Sequence, residues 1–172
     1  MNYVIVSALE QEFPFDKELN VLYTGVGKIN ASISLLTYLY NNPHIDTVIN
    51  VGTAAGIINK KNQVVSCGTF IEGELDYPSY VLEPIVINPD LFTLATFDSF
   101  QTSVPKRKCD FVDMEGYAFA KICKIKKIKF FCYKYISDII GEQNQEETWL
   151  YNYQNGRTLL KEMVIKNIWK KY

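Results

Sequence analysis

Short apolar runs broken by glycine and by acid-bearing turns dominate the first third of the chain. Tyr3 to Ser7 is a β-branched apolar run that ends at small residues, the pattern of a buried central strand, and an acid-rich turn follows it. Leu22-Tyr23-Thr24 leads into Gly25-Val26-Gly27-Lys28, after which Ile29, Ile33, Leu36 and Tyr40 recur at helical spacing. This predicts a strand, a glycine turn and a helix, the start of a βαβ unit. Asp46 to Val51 is another core-type strand, and it runs into the small-residue loop Gly52-Thr53-Ala54-Ala55-Gly56.

From Gln63 to Ile87 the pattern shortens to β-like runs broken by Gly68, Gly73, Pro78 and Pro84, as in hairpin-like strands or a loop excursion. Phe111 to Cys123 carries helical periodicity from near Asp113, and Phe130 to Ile136 reads as a strand. Thr148 to Trp169 is a long amphipathic helix interrupted only by Gly156. Strands alternating with helices predict an α/β fold with a mostly parallel sheet covered on both faces, whose ligands bind at the carboxyl ends of the strands. A chain of 172 residues, 48% hydrophobic and 14% aromatic, suits one substantial core, a single domain over 1–172, and is too short for two ordinary ones.

Charge narrows the partners. The 18 basic and 19 acidic side chains nearly cancel, leaving a net charge of -1, which gives no reason to expect nucleic acid. The run Lys121, Lys124, Lys126, Lys127, Lys129 alternates with Ile122, Ile125 and Ile128 and reads as a solvated helix end rather than a polyanion patch. Cys67, Cys109, Cys123 and Cys132 have neither the CxxC pairing of a zinc site nor the density of a disulfide scaffold, so reduced thiols are expected. The one histidine, His44, follows Asn41-Asn42-Pro43 in a surface-turn sequence, which argues against a histidine triad or a metal cage. The N-terminus lacks a basic n-region and no apolar run is long enough to span a bilayer; a cytoplasmic protein with no membrane partner is expected.

Four segments fall at predicted strand ends: Ser7-Ala8-Leu9-Glu10-Gln11-Glu12, Thr24-Gly25-Val26-Gly27-Lys28, Asn50-Val51-Gly52-Thr53-Ala54-Ala55-Gly56, and the pair Val112-Asp113-Met114-Glu115-Gly116 with Ile136-Ser137-Asp138. In order and spacing they resemble the nucleoside phosphorylase/nucleosidase superfamily. The acid-rich turn after the first strand and the lysine after the glycine turn make the resemblance closest to its 5′-methylthioadenosine/S-adenosylhomocysteine nucleosidase branch. The resemblance covers Met1 to about Asp138. It implies a three-layer αβα sandwich around a central mixed, mostly parallel sheet, a homodimer, and hydrolysis of a purine nucleoside by water, without metal or organic cofactor, releasing adenine and a ribose derivative.

The resemblance also implies roles. Glycosidic cleavage passes through a sugar with oxocarbenium character, so a site must activate water, hold the ribose hydroxyls and neutralise the departing base. Glu12 is similar to the family's acid that deprotonates the attacking water, and Asp138, oriented by Ser137, to the aspartate that donates to N7 of the purine. Glu115 matches the carboxylate that accepts from the 2′ and 3′ hydroxyls, with Met114 against the sugar. Phe100 lies where a phenylalanine stacks on the base, Thr53 matches a hydroxyl residue near sugar and water, and Val26 would line the ribose side. Lys134, four residues before Asp138, stands where the family has an arginine that holds the catalytic water and the glutamate; lysine keeps the charge but loses the bidentate fork.

Taken as residues alone, each position has a plainer reading: Glu12 a solvated turn glutamate like Glu10, Glu115 a first-turn residue favoured by the helix dipole, Asp138 a helix N-cap, Phe100 a core aromatic. The chain is also shorter than typical members between Glu12 and Thr24 and between Pro78 and Phe97. That leaves the 5′ substituent open among methylthioadenosine, S-adenosylhomocysteine, 5′-deoxyadenosine and an aminofutalosine-like nucleoside, and leaves a shortened purine-nucleoside binder without turnover as an alternative. A phosphorolytic enzyme is less favoured, because Arg107 and Arg157 are the only arginines and neither sits in a glycine loop. A dinucleotide site is disfavoured because no GxGxxG spacing occurs.

Overall fold

The computed structural model describes residues 2–14, 16–74 and 83–169. In chain order these form β1 (Tyr3–Ser7), β2 (Val21–Tyr23), α1 (Lys28–Asn41), β3 (Thr47–Gly56), β4 (Val64–Glu72), β5 (Ile85–Val86), β6 (Phe92–Thr96), β7 (Phe111–Asp113), α2 (Gly116–Lys126), β8 (Lys129–Ile139), α3 (Gln145–Asn152) and α4 (Arg157–Trp169).

The strands make one mixed sheet in the order β2-β1-β3-β7-β6-β4-β5, and β8 pairs with both β3 and β4. The ring β3-β8-β4-β6-β7 therefore closes on itself. Five pairings are parallel, and the three antiparallel ones are β3 with β7, β4 with β5 and β4 with β8. The mostly parallel character is as expected from sequence. Nothing in the sequence pointed to the closure, in which β8 pairs with β3 along one edge and, through Cys132, Tyr133, Lys134 and Tyr135, with β4 along the other.

Alternation along the strands sends successive side chains to opposite faces. Val4, Val6 and Val48 pack with Ala31, Leu35 and Leu39 of α1 and with Phe119, Ile122 and Cys123 of α2. Ile5, Ile49 and Val51 pack instead with Phe13, Tyr133, Tyr135 and, from α4, Leu160 and Val164. Different helices thus cover the two faces, as the apolar strands require.

Several sequence expectations change. The helix after the glycine turn exists, but Ile29, Ile33, Leu36 and Tyr40 are exposed, and the buried stripe is Ala31, Leu35 and Leu39. The expected loop Gly52–Gly56 is the second half of β3, with a register shift at Ala54/Ala55. The helix expected from near Asp113 begins at Gly116, because Phe111–Asp113 is a strand. The long C-terminal helix is two helices, broken over 153–156; a Cβ on Gly156 would lie 2.3 Å from Cγ of Tyr135, so the chain bends where its backbone meets that ring. Gly68 does not end a strand but lies within β4, at a register shift between Cys67 and Thr69, and β6 had no sequence forecast. Pro78 lies outside the described residues. Of the lysine run, Lys121, Lys124, Lys126, Lys127 and Lys129 are exposed around the end of α2, which a left-handed Lys127 terminates.

Candidate active site

The turn after β1 delivers Glu12. Phe13 is buried in the core and its carbonyl accepts from the Tyr23 hydroxyl at 2.9 Å, while Arg157 Nε donates to the carbonyl of Gln11. Held at both sides, Glu12 turns inward and is only 5% exposed, whereas Glu10 is exposed. Glu12 Oε1 accepts from the backbone N–H of Thr53 at 3.1 Å and from the Thr53 hydroxyl. Burial raises its affinity for a proton above that of an ordinary glutamate; the Thr53 hydroxyl, the Lys134 charge and the Thr53 N–H oppose this, and Asp113 adds to it. The solvated-turn reading is excluded.

Gly52 makes this approach possible. A Cβ there would sit 3.2 Å from Glu12 Oε2 and 3.7 Å from Lys134 Nζ. Lys134, opposite Gly52 across β3 and β8, is buried and pairs with Asp113 Oδ2 at 2.9 Å. Burial disfavours its charge, but Asp113, Cys132 and Glu115 together outweigh that and keep it above the ordinary lysine range.

Asp113 ends β7 and is fully satisfied. Its Oδ1 accepts from the Thr96 hydroxyl at 2.7 Å, and its Oδ2 accepts from the Gly116 N–H at 2.8 Å, so it supports the start of α2. This frees Glu115 from that task. Glu115 reaches across to the glycine turn, where its Oε1 accepts from the Gly27 N–H at 2.8 Å. Gly25 and Gly27 have φ of 79° and 94°, a region that side-chain-bearing residues rarely enter, and this turn aims the N–H at the carboxylate. Burial, and then the Asp113 charge, push Glu115 up to about 8, against Lys134 and the Gly27 N–H.

Asp138 lies on β8 and not at a helix start; the N-cap of α3 is Asn144. In the β3–β8 register Ala54 faces Ile136 and Ala55 faces Asp138, which leaves Ser137 as the extra residue of a bulge. Bulges re-aim side chains, and here one carries Asp138 to the cavity. Ser137 Oγ donates to Asp138 Oδ1 at 2.6 Å and Gln145 Nε2 donates to Oδ2 at 2.8 Å. Burial nonetheless raises Asp138 above its ordinary value.

One cavity, about 140 Å³, is lined by Glu12, Val26, Thr53, Phe100, Met114, Glu115 and Asp138, together with Leu9, Gln101, Asp113 and Trp149. Since a water needs on the order of 10–15 Å³ by the same measure, it has room for an organic ligand. Phe100 is exposed and meets Trp149 edge-on with ring centroids 6.2 Å apart, so it is no core aromatic. Lys134, expected to hold the catalytic water, does not line the cavity and pairs with Asp113; Ser137 does not line it either and donates to Asp138, the orienting bond expected of it.

Sequence reasoning missed three residues of the site. Asp113 stood within the quoted motif, and an aspartate three before Gly116 was a readable helix-start signal. Trp149 carried none beyond the amphipathic pattern from Thr148, and Gln145 lay outside that pattern. Gln145 donates to the carbonyl of Gln101 at 2.9 Å as well as to Asp138, joining the Phe100 loop to β8, and its Oε1 accepts from the Gly141 N–H, which fixes the amide orientation.

No family model matches the sequence, and no curated protein matches it. Solved structures do. A 5′-methylthioadenosine/S-adenosylhomocysteine nucleosidase from Colwellia psychrerythraea in complex with adenine aligns with TM-score 0.80 at 18% identity, over 96% of this chain and 93% of that one. An S-adenosylhomocysteine nucleosidase from Streptococcus pyogenes, in complex with 5-methylthiotubericidin, aligns with TM-score 0.80 at 15% identity, over 96% and 94%. The futalosine hydrolase of Helicobacter pylori aligns with TM-score 0.76 at 15% identity, over 95% and 97%. The chain shares its fold with these proteins.

Proposed function

We propose that this protein hydrolyses the N-glycosidic bond of an adenosine-type nucleoside, of the methylthioadenosine or S-adenosylhomocysteine kind, releasing adenine and a ribose derivative. The observation that carries the reading is the convergence of Glu12, Glu115 and Asp138 on one cavity, each held by a different element and each with its proton affinity raised by burial. Enzymes separate such carboxylates into acid and base by their surroundings.

Glu12 has Thr53 donors and the Lys134 charge nearby, which favour its ionised form, and it takes a proton from water as the oxygen attacks C1′. The C1′–N9 bond breaks, its electron pair moves into the base, and Asp138 delivers a proton to N7. Glu115 accepts from the ribose hydroxyls, with Met114 against the sugar, Val26 on the ribose side and Phe100 at the base. Ser137 and Gln145 orient Asp138. Lys134 serves through Asp113 and its field on Glu12, in place of a direct hold on water.

Water is favoured over phosphate as nucleophile. Lys28, the cation of the glycine turn, is tied to Glu72 at 2.5 Å, Glu74 at 3.0 Å and Asp98 at 3.2 Å. Three carboxylates at that point repel a phosphate dianion. Because a futalosine hydrolase shares the fold, 5′-deoxyadenosine and an aminofutalosine-like nucleoside are the substrates to compare with methylthioadenosine and S-adenosylhomocysteine. A homodimer in the cytoplasm completes the proposal, supported by the exposed Ile29, Ile33 and Tyr40 on α1.

The test is adenine release from methylthioadenosine and S-adenosylhomocysteine, with and without phosphate, by the parent, Glu12→Gln and Asp138→Asn. Phosphate-independent release that both substitutions abolish supports the hydrolase. Binding of the nucleosides without release favours the binder, and phosphate-dependent release a phosphorylase.

A further inference from the structure

The hydrogen bonds on Glu12 begin one residue further out than the roles assigned above. Trp149, on α3, lines the cavity, and its Nε1–H donates to Thr53 Oγ1 at 3.1 Å. The same Oγ1 bonds to Glu12 Oε1. An indole nitrogen only donates and an ionised carboxylate only accepts, so the single hydroxyl proton of Thr53 has one place to go, toward Glu12. Donation into a hydroxyl oxygen also makes its O–H a better donor. The indole is held in turn, stacked on Tyr153 at 5.3 Å and 25° and set edge-on to Phe100.

We propose that Trp149 is a positioning residue for the base: by donating to Thr53 Oγ1 it commits the Thr53 proton to Oε1 of Glu12 and leaves Oε2 as the oxygen that meets water. The role in catalysis rests on the nucleosidase reading; the relay itself does not. Nothing in the four motifs assigns Trp149, which lies beyond the span of the sequence resemblance. The other groups that act on Glu12 are Lys134 on β8, Asp113 on β7 and Glu115 at the start of α2, and none of them contacts the indole nitrogen through a hydrogen bond.

The relay is read first without substrate. The chain has two tryptophans, and the indole signal lost in Trp149→Phe assigns the one at issue. In the parent its ¹⁵N–¹H resonance should shift with pH as Glu12 ionises, and Glu12→Gln should abolish that dependence. Trp149→Phe keeps a ring in the stack but removes the donor, so the ¹³C-labelled Glu12 carboxyl should titrate at higher pH than in the parent. In a Thr53→Ala background the same change should have no effect. An indole resonance indifferent to Glu12, or an unmoved Glu12 titration, overturns the proposal, even if the parent is an active nucleosidase. In turnover, kcat of Trp149→Phe should fall about fivefold, the effect of one ordinary hydrogen bond, with KM within about twofold and the acid limb of its pH profile moved up. A parent that releases no adenine sinks the nucleosidase reading and leaves the resonance arm to decide the relay.

Discussion

Lys134 Nζ lies 2.9 Å from Asp113 Oδ2, both side chains are almost wholly buried, and the same oxygen accepts from the Gly116 N–H. The pair links β8, β7 and the start of α2 at one point, directly behind Glu12 and Glu115. Breaking one member of a buried pair leaves the other charge uncompensated.

Lys134→Met should therefore destabilise the fold by about 3–5 kcal/mol, the usual cost of orphaning a buried charge. Urea denaturation at neutral pH measures it. A loss below about 1 kcal/mol would mean that Thr96 and Gly116 suffice to hold Asp113.

Stability should also depend on pH through Glu115. In the folded chain burial and the Asp113 charge push it from an ordinary value of 4.5 up to about 8, so the native state holds this proton more tightly than the unfolded chain. The stabilisation is fully present below pH 4.5 and is lost as pH rises through about 8. Denaturation series between pH 5 and 9 should show a shallower decline for Glu115→Gln than for the parent. Parallel curves would show that Glu115 ionises normally in the folded protein.

Gly52→Ala places a methyl 3.2 Å from Glu12 Oε2. The carboxylate is the neighbour that gives, and small misplacement of a reacting group is costly. We expect kcat to fall about tenfold or more, and the melting temperature to fall as well, because Gly52 has a φ of +159° that side-chain-bearing residues rarely adopt. Unchanged kcat would show that Glu12 tolerates the displacement.

Gln145→Ala removes the donor on Asp138 Oδ2 and the tie to the Gln101 carbonyl. Hydrogen bonds to a carboxylate favour its ionised form, so their loss raises Asp138 further. The acid must be protonated to act, and the alkaline limb of the kcat/KM profile should move to higher pH. Displacement to lower pH would contradict the assignment of Asp138 as the acid.

Much of this architecture was legible before any coordinates. The run Tyr3–Ser7, the glycine turn at 25–27 with a helix after it, and the strand begun at Phe130 all carry local signals: β-branched runs, closely spaced glycines, helical spacing. The four motifs already named the carboxylates of the cavity. They were silent on Gln145 and Trp149, whose contacts with Asp138 and Thr53 span 7 and 96 positions of sequence and leave no local pattern.

What the sequence by itself determined was the first strand, the glycine turn and the helix after it, the strands beginning near Asp46 and Phe130, and the motifs that carry the acids, since propensity and hydrophobic period are properties of neighbouring residues. Tertiary structure decided which face of each element counts. Helix α1 is apolar around most of its circumference, and only docking on the sheet buries Ala31, Leu35 and Leu39 while leaving Ile29, Ile33 and Tyr40 outside. Glu10 and Glu12 are two positions apart in one turn, and only the anchoring of Phe13 and the gap at Gly52 make the second a buried carboxylate. Burial sets proton affinity, and burial depends on residues distant in the chain, so the chemistry of these carboxylates became readable only when the fold brought them together.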